Sequence, residues 1–299
     1  MNIDASQFNR RRFLGGAAAG FGFLSSAGAA APARRVSKMR FGLATYQWGR
    51  DWDIPTLIAN CTRAKALAVE PRTSSKHAHG IELEMGDAAR REVKKRFADS
   101  PVTLVGLASG ERFDSPDPAK LKESIENAKA FMKLSQDVGG RGVRVFVNDF
   151  QKGVPEEKTL AQAARALDEV GRYAAGVGQI VRLENHGSAG RLVTLRKILD
   201  QVKQPSIRIK LNCDARDNEG GAFAQNFALV KDRLDDTLHF HELSDAKFPF
   251  QLQTDLLVDM GWNGWWLGEL SSTPPDRVQA LIEQRELWEK LVARSLARA

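Results

Sequence analysis

Short apolar runs alternate with longer amphipathic ones from residue 40 to the end of the chain, and this alternation limits the fold more than any other feature. The apolar runs lie at 40–46, 67–72, 103–107, 142–148, 180–184, 207–212, 237–243 and 264–270. Helical periodicity lies between and after them, at 54–66, 88–98, 118–139, 156–176, 189–203, 223–232, 250–260 and 276–297. Asp117 before Pro118 reads as a helix cap followed by a first-turn proline, and Gly139-Gly140 as the stop of the same helix. Strand and helix repeated eight times with short connections predict a parallel sheet wound right-handedly, and eight units suit closure into a (β/α)8 TIM barrel. A doubly wound open sheet is the alternative. It usually needs fewer strands, and no Gly-x-Gly-x-x-Gly turn follows the first one.

The chain begins with a different kind of signal. Asn9-Arg10-Arg11-Arg12-Phe13-Leu14 reads as a twin-arginine motif, a Gly/Ala-rich apolar stretch follows, and Ala31-Pro32-Ala33 is a small-x-small cleavage site. The stretch is too short and glycine-rich to span a bilayer stably. Residues 1–33 are therefore expected to be a twin-arginine signal peptide, recognised by the twin-arginine translocase and removed. A periplasmic or secreted address follows. Residues 34–299 then form one domain, close to the roughly 250 residues typical of such a barrel. The formal charge of +7 is spread along the chain without a basic stripe, which argues against nucleic acid as a partner. Of the two cysteines, Cys61 falls in a helical segment and Cys213 at a strand end, so free buried thiols are expected rather than a disulfide.

In a barrel of this kind the chemistry gathers at the C-terminal ends of the strands. Those ends here carry Glu70-Pro71-Arg72-Thr73 with His77 and His79, then Asn148-Asp149, Glu184-Asn185-His186-Gly187, Asn212-Cys213-Asp214, His239-Phe240-His241-Glu242 and Gly268-Glu269. All five histidines fall at these positions. Imidazoles and carboxylates with open positions suit a catalytic divalent cation: Mn2+, Mg2+, Co2+, Fe2+ or Zn2+. Strand alternation sends His239 and His241 to the same side, so spacing alone leaves open which of them is the ligand.

At these residues the chain resembles the sugar phosphate isomerase/epimerase superfamily, the xylose-isomerase-like TIM barrels that also contain endonuclease IV. The resemblance covers essentially all of residues 34–299. It implies one metal held by Glu184, Asp214, His239 and Glu269, with His239 preferred because relatives run His-x-Lys-Asp there. It implies that Glu184 and Glu269 form the acid/base pair that moves a proton through an enediolate. His186 and His79 would orient hydroxyls, Arg72 would hold a carboxylate or hydroxyl, or else pair with Glu70, and Trp48 would stack on a sugar. Two departures stand out: Asp217 where many relatives have histidine, and His241 where lysine is common. They argue against the usual phosphorylated substrates, as does the export signal.

The expectation is a metal-dependent isomerase or epimerase of an unphosphorylated sugar or sugar derivative. The same chemistry supports a lyase on keto-sugars or keto-glycosides. The further alternatives are a non-catalytic periplasmic carbohydrate-binding barrel and, least favoured, an endonuclease-IV-like phosphodiesterase, which needs a larger metal cluster. Relatives commonly form homo-oligomers.

Overall fold

The computed structural model describes residues 36–298, and the leader read at 1–33 lies outside them. Nine parallel strand segments and eight α-helices follow one another. The early part runs β1 (Arg40–Ala44), α1 (Ile54–Ala64), β2 (Ala68–Glu70), α2 (Asp87–Ala98), β3 (Thr103–Leu104), β4 (Leu107–Arg112) and α3 (Pro118–Val138). The middle runs β5 (Gly142–Phe146), α4 (Glu156–Gly176), β6 (Ile180–Glu184), α5 (Leu192–Leu199), β7 (Ile207–Lys210) and α6 (Phe223–Val230). The chain closes with β8 (Thr237–Phe240), α7 (Phe250–Asp259), β9 (Trp265–Gly268) and α8 (Arg277–Leu296).

The strands form two ladders, β3-β2-β1-β9-β8 and β4-β5-β6-β7. Single bridges, Arg72 to Ala108 and Ile209 to Leu234, join them at two seams and complete a barrel. The eight expected strands are all present, with one correction. The third is not a single run at 103–107. It breaks at Val105-Gly106 and resumes as β4 through Arg112. The Arg182 guanidinium donates to the Val105 carbonyl at 2.9 Å, and a Cβ on Gly106 would collide with that guanidinium and with the Gly142 carbonyl. The upper half was missed because Ser109, Gly110 and Arg112 lack the apolar character expected of a buried strand.

The helices lay their apolar stripes on the outside of the barrel. Leu57, Phe131, Met132, Leu167, Val170, Leu195, Leu257 and Leu281 are all buried there. Each such side chain contributes roughly 1.5–3 kcal/mol. Helix starts follow local chemistry. Asp53 and Asp117 accept from Thr56 N–H and Ala119 N–H at 2.9 Å, each ahead of a first-turn proline. Left-handed Gly139 ends α3. The helix expected over 189–203 is only Leu192–Leu199, because Asp217 takes the Leu192 N–H at 3.0 Å and fixes its start. Both cysteines are free and buried. Among the described residues no helix is long and apolar enough to cross a membrane.

Inside the barrel, aliphatic layers give way to charge. Arg144, Arg182 and Lys210 are almost completely buried on adjacent strands, together with Glu70, Glu184 and Asp235. Buried charges persist only when paired. Lys210 Nζ reaches Glu70 Oε1 at 3.1 Å and Thr237 Oγ1 at 2.9 Å. Arg182 Nε lies 2.6 Å from Asp235 Oδ2. Lys210, His239 and Arg182 outweigh the effect of burial and hold the Glu70 carboxyl well below the usual carboxylate range.

Candidate metal centre

Above this charged layer, Glu184 at the end of β6, His239 in β8 and Glu269 just after β9 come together. One ligand atom from each lies within 4.8 Å of the other two, and all three residues are buried. The imidazole is fixed from behind by a 2.6 Å hydrogen bond between His239 Nε2 and Glu70 Oε2. Nδ1 faces forward, 3.1 Å from Glu184 Oε2 and 3.5 Å from Glu269 Oε2, yet this buried atom has no hydrogen-bond partner. An imidazole oriented by a carboxylate on one nitrogen, with the other aimed between two carboxylates, is how proteins present histidine to a cation. Burial and Lys210 oppose a proton on His239, but Glu184, Glu269 and Glu70 push its pKa up to about 10. The negative potential that holds a proton there equally favours a divalent ion. The residues therefore fit the expected group, and the two carboxylates with His239 Nδ1 would hold it.

The fourth expected ligand is placed elsewhere. Asp214 caps a 3-10 turn at residues 215–221, and its carboxylate is gripped by the Arg216 guanidinium, with Nε at 2.9 Å from Oδ1. Asn212 takes the inward position instead, donating to Glu184 Oε1 at 2.9 Å and to Glu269 Oε2 at 3.4 Å. The reason is alternation: Lys210 points inward, so two residues on it is Asn212, whereas the chain at Asp214 has already turned away.

Arg144 was not anticipated. Its NH1 lies 3.3 Å from Glu184 Oε2 and 3.5 Å from Glu269 Oε1, while Nε and NH2 donate to the Ser109 carbonyl at 3.2 and 3.0 Å. Burial alone would raise the Glu184 carboxyl, but Arg144 and then His239 bring it below its ordinary value. Glu269 is held well below the carboxylate range by His239, His241 and Arg144 acting against burial. Both carboxylates are thus ionised. Arg144, Arg182 and Lys210 were visible in the sequence as cations within the mainly apolar runs Gly142–Phe146, Ile180–Glu184 and Ile207–Lys210, and a buried parallel strand carries an inward cation only when opposite charges face it.

Of the trio, Glu269 lines a cavity of about 350 Å3 whose walls also include Arg72, Arg112, Phe146, His186 and His241, with Glu184 and His239 buried behind it. Arg72 lies over the Tyr46 ring at 4.7 Å and reaches Glu269 at 3.5 Å, not Glu70. His186 packs against Phe146 and bonds Asn148 Oδ1 through Nδ1 at 2.8 Å, leaving Nε2 for a ligand. His241 is exposed at the rim, with Nε2 3.9 Å from Glu269. Two expected substrate contacts are not on the wall. Trp48 is buried and donates to the Ser272 carbonyl at 2.7 Å, so it braces a loop rather than stacking on a sugar. His79 is buried, accepting from Ile81 N–H at 3.1 Å and packed edge-on to His77. Asp217 is also structural: it is buried and accepts from Leu192 N–H and from Asn185 Nδ2 at 3.1 Å.

Burial, reinforced by His77, pushes the His79 pKa down to about 4. Unfolded, it would titrate near 6.5. Between these values the unfolded chain binds the extra proton, so the stability conferred by neutral His79 is complete above pH 6.5 and lost as pH falls toward 4. The loss expected is about 3 kcal/mol. Urea unfolding at pH 7.5 and 4.5 checks it: His79→Asn should lose distinctly less stability on acidification than wild type.

The loop carrying His186 depends on a glycine. Gly187 has φ +74°, and a Cβ there would run into the Asn148 backbone. Gly187→Ala is expected to cost about 2–3 kcal/mol. The expected readout is a lowered urea midpoint with an unchanged m-value.

Solved structures with the same architecture include the apo form of the 3-keto-D-glucoside 4-epimerase YcjR from E. coli, at TM-score 0.70 and 14% identity over 85% of this chain and 100% of that one. An L-ribulose 3-epimerase superposes at TM-score 0.71 and 17% identity, covering 86% and 95%. An IolI protein with a bound zinc atom does so at 0.70 and 13%, covering 86% and 100%. At these identities the likeness establishes the fold. No curated protein matches by sequence. A family model matches residues 58–291, which span every strand from β2 to β9 and the whole trio, and the chain therefore belongs to the xylose isomerase-like TIM barrel family.

Proposed function

We propose that this protein is a divalent-metal-dependent isomerase or epimerase of an unphosphorylated sugar or sugar derivative, exported by the twin-arginine route to the periplasm or beyond. The observation that carries the reading is the buried Glu184–His239–Glu269 trio, with its unpartnered Nδ1, of which Glu269 lines a polar cavity. The sugar epimerases among the structural neighbours support it. Bound there, a divalent ion would supply positive charge where a sugar carbonyl gains negative charge. The remaining work falls to side chains. Glu184 and Glu269 form the acid/base pair, one accepting a proton from the C–H beside the carbonyl and the other returning it. Arg144 keeps both ionised between turnovers. His186 Nε2 and Arg72 donate to hydroxyls and fix the ring.

A β-elimination on a keto-glycoside is the second reading, favoured by exposed His241, whose Nε2 lies 3.9 Å from Glu269 and is placed to protonate a departing oxygen. Product analysis separates the two.

The first test is metal content of untagged protein. About one divalent ion per chain is expected in wild type, and none in the Glu184→Gln/Glu269→Gln double variant. No bound ion, with no thermal stabilisation by Mn2+, Co2+ or Zn2+, would overturn the metal mechanism.

A further inference from the structure

The cavity wall carries more cations than carboxylates. Three guanidiniums, those of Arg72, Arg112 and Arg144, line it, and among its lining residues only Glu269 is a carboxylate. Glu269 is already shared among Arg72, Arg144 and His239. The three arginines differ in what they have left to give. Arg144 is spent on Ser109 and the two glutamates. Arg72 uses one nitrogen on Glu269 and lays its plane over Tyr46. Arg112 is the last residue of β4, exposed, and set in register beside Phe146 of β5. Among the described residues no hydrogen bond or ion pair engages its guanidinium. The nearby Asp149 carboxylate feels the Arg112 charge but makes no ion pair with it, being hydrogen-bonded to the Ser188 N–H and hydroxyl at 2.8 and 3.0 Å.

An exposed arginine on its own is ordinarily only hydrated. Here, however, the guanidinium is carried by a strand rather than a loop and shares a concave wall with the under-used Arg72. A concave wall with low-dielectric sides concentrates the field of such groups. A neutral sugar in this cavity would leave that field unanswered, whereas a planar carboxylate matches the fork of a guanidinium.

We infer that the substrate is a sugar acid, its carboxylate held at the mouth of the cavity by Arg112 together with Arg72 while its carbonyl end lies at the trio. This names the substrate class for the isomerase reading and rests on it. A phosphate would answer the same field, so the test includes one.

Titration calorimetry on the full chain, with Mn2+ present, would compare glucuronate and fructuronate with glucose and fructose and with the two 6-phosphates. The acids are expected to bind at least roughly tenfold more tightly than the neutral sugars, and less tightly as salt rises. Arg112→Gln should weaken the acids by roughly ten- to a hundredfold and leave the neutral sugars unchanged, and Arg112→Lys should recover part of the loss. Equal binding of acids and neutral sugars, tighter binding of the phosphates, or binding of none would overturn the inference. Solvent-hydrogen exchange in D2O keeps it separate from the activity. Acids that bind through Arg112 but exchange no C–H proton would sink the isomerase reading alone. Exchange on the acids at sub-saturating concentration that is as fast in Arg112→Gln as in wild type would sink the inference alone.

Discussion

Glu184→Gln is expected to lower kcat by about a thousandfold or more while the chain stays folded. The substitution is nearly isosteric. It removes the carboxylate proposed to accept the proton and one of the three ligand atoms that would face an ion. It also takes away a negative charge from beside Arg144 NH1 and His239 Nδ1. The hydrogen bond that Glu184 Oε1 accepts from Asn212 can be kept by the amide oxygen, which is why the fold should tolerate the change. Turnover and C–H exchange should both vanish, with circular dichroism unchanged. Retained exchange would move the base to Glu269 alone.

The largest effect on stability is expected from the layer below. Arg182→Met should cost about 3–5 kcal/mol. Arg182 meets Asp235 at 2.6 Å, Asp236 at 3.1 Å, Glu70 at 3.7 Å and the Val105 carbonyl at 2.9 Å. Burial already raises the Asp235 carboxyl, and Arg182 is the principal group opposing that. Methionine fills the volume but leaves a buried carboxylate without its cation. Arg182→Lys should rescue little, because an ammonium is a point charge and cannot meet Asp235, Asp236 and Val105 at once. A chain of this size would show the loss as a fall in Tm of roughly ten degrees. A loss under about 1 kcal/mol would mean that water enters the layer.

The barrel was legible because its strands are short apolar runs buried on both faces, and its helices are amphipathic with readable caps such as Asp117-Pro118. The trio was legible for a different reason: Glu184, His239 and Glu269 are isolated polar residues at the tops of those runs. What escaped depended on contacts between distant segments. Asp214, a carboxylate, is a better ligand on paper than Asn212. Only the inward position of Lys210, set by its pairing with Glu70 across the barrel, decides which of them faces the trio. Trp48 and His79 sit near strand ends as expected, but the loops after β9 and β2 close over them. Arg144 is one residue in an apolar strand, and its meaning appears only when the glutamates opposite it are in view.

The two seams give the trio a mechanical meaning. Glu184 belongs to the four-stranded ladder, whereas His239 lies in the five-stranded one and Glu269 directly follows its β9. An ion gripped by all three would tie the two half-barrels across their weakest joints. Cofactor supply and conformational stability would then be linked, each decade of free ion above the dissociation constant adding about 1.4 kcal/mol. Amide hydrogens at the Ile209–Leu234 and Arg72–Ala108 joints should exchange slowly in loaded protein and faster once a chelator is added. Amides in the middle of β5 and β6, away from either joint, should keep their protection.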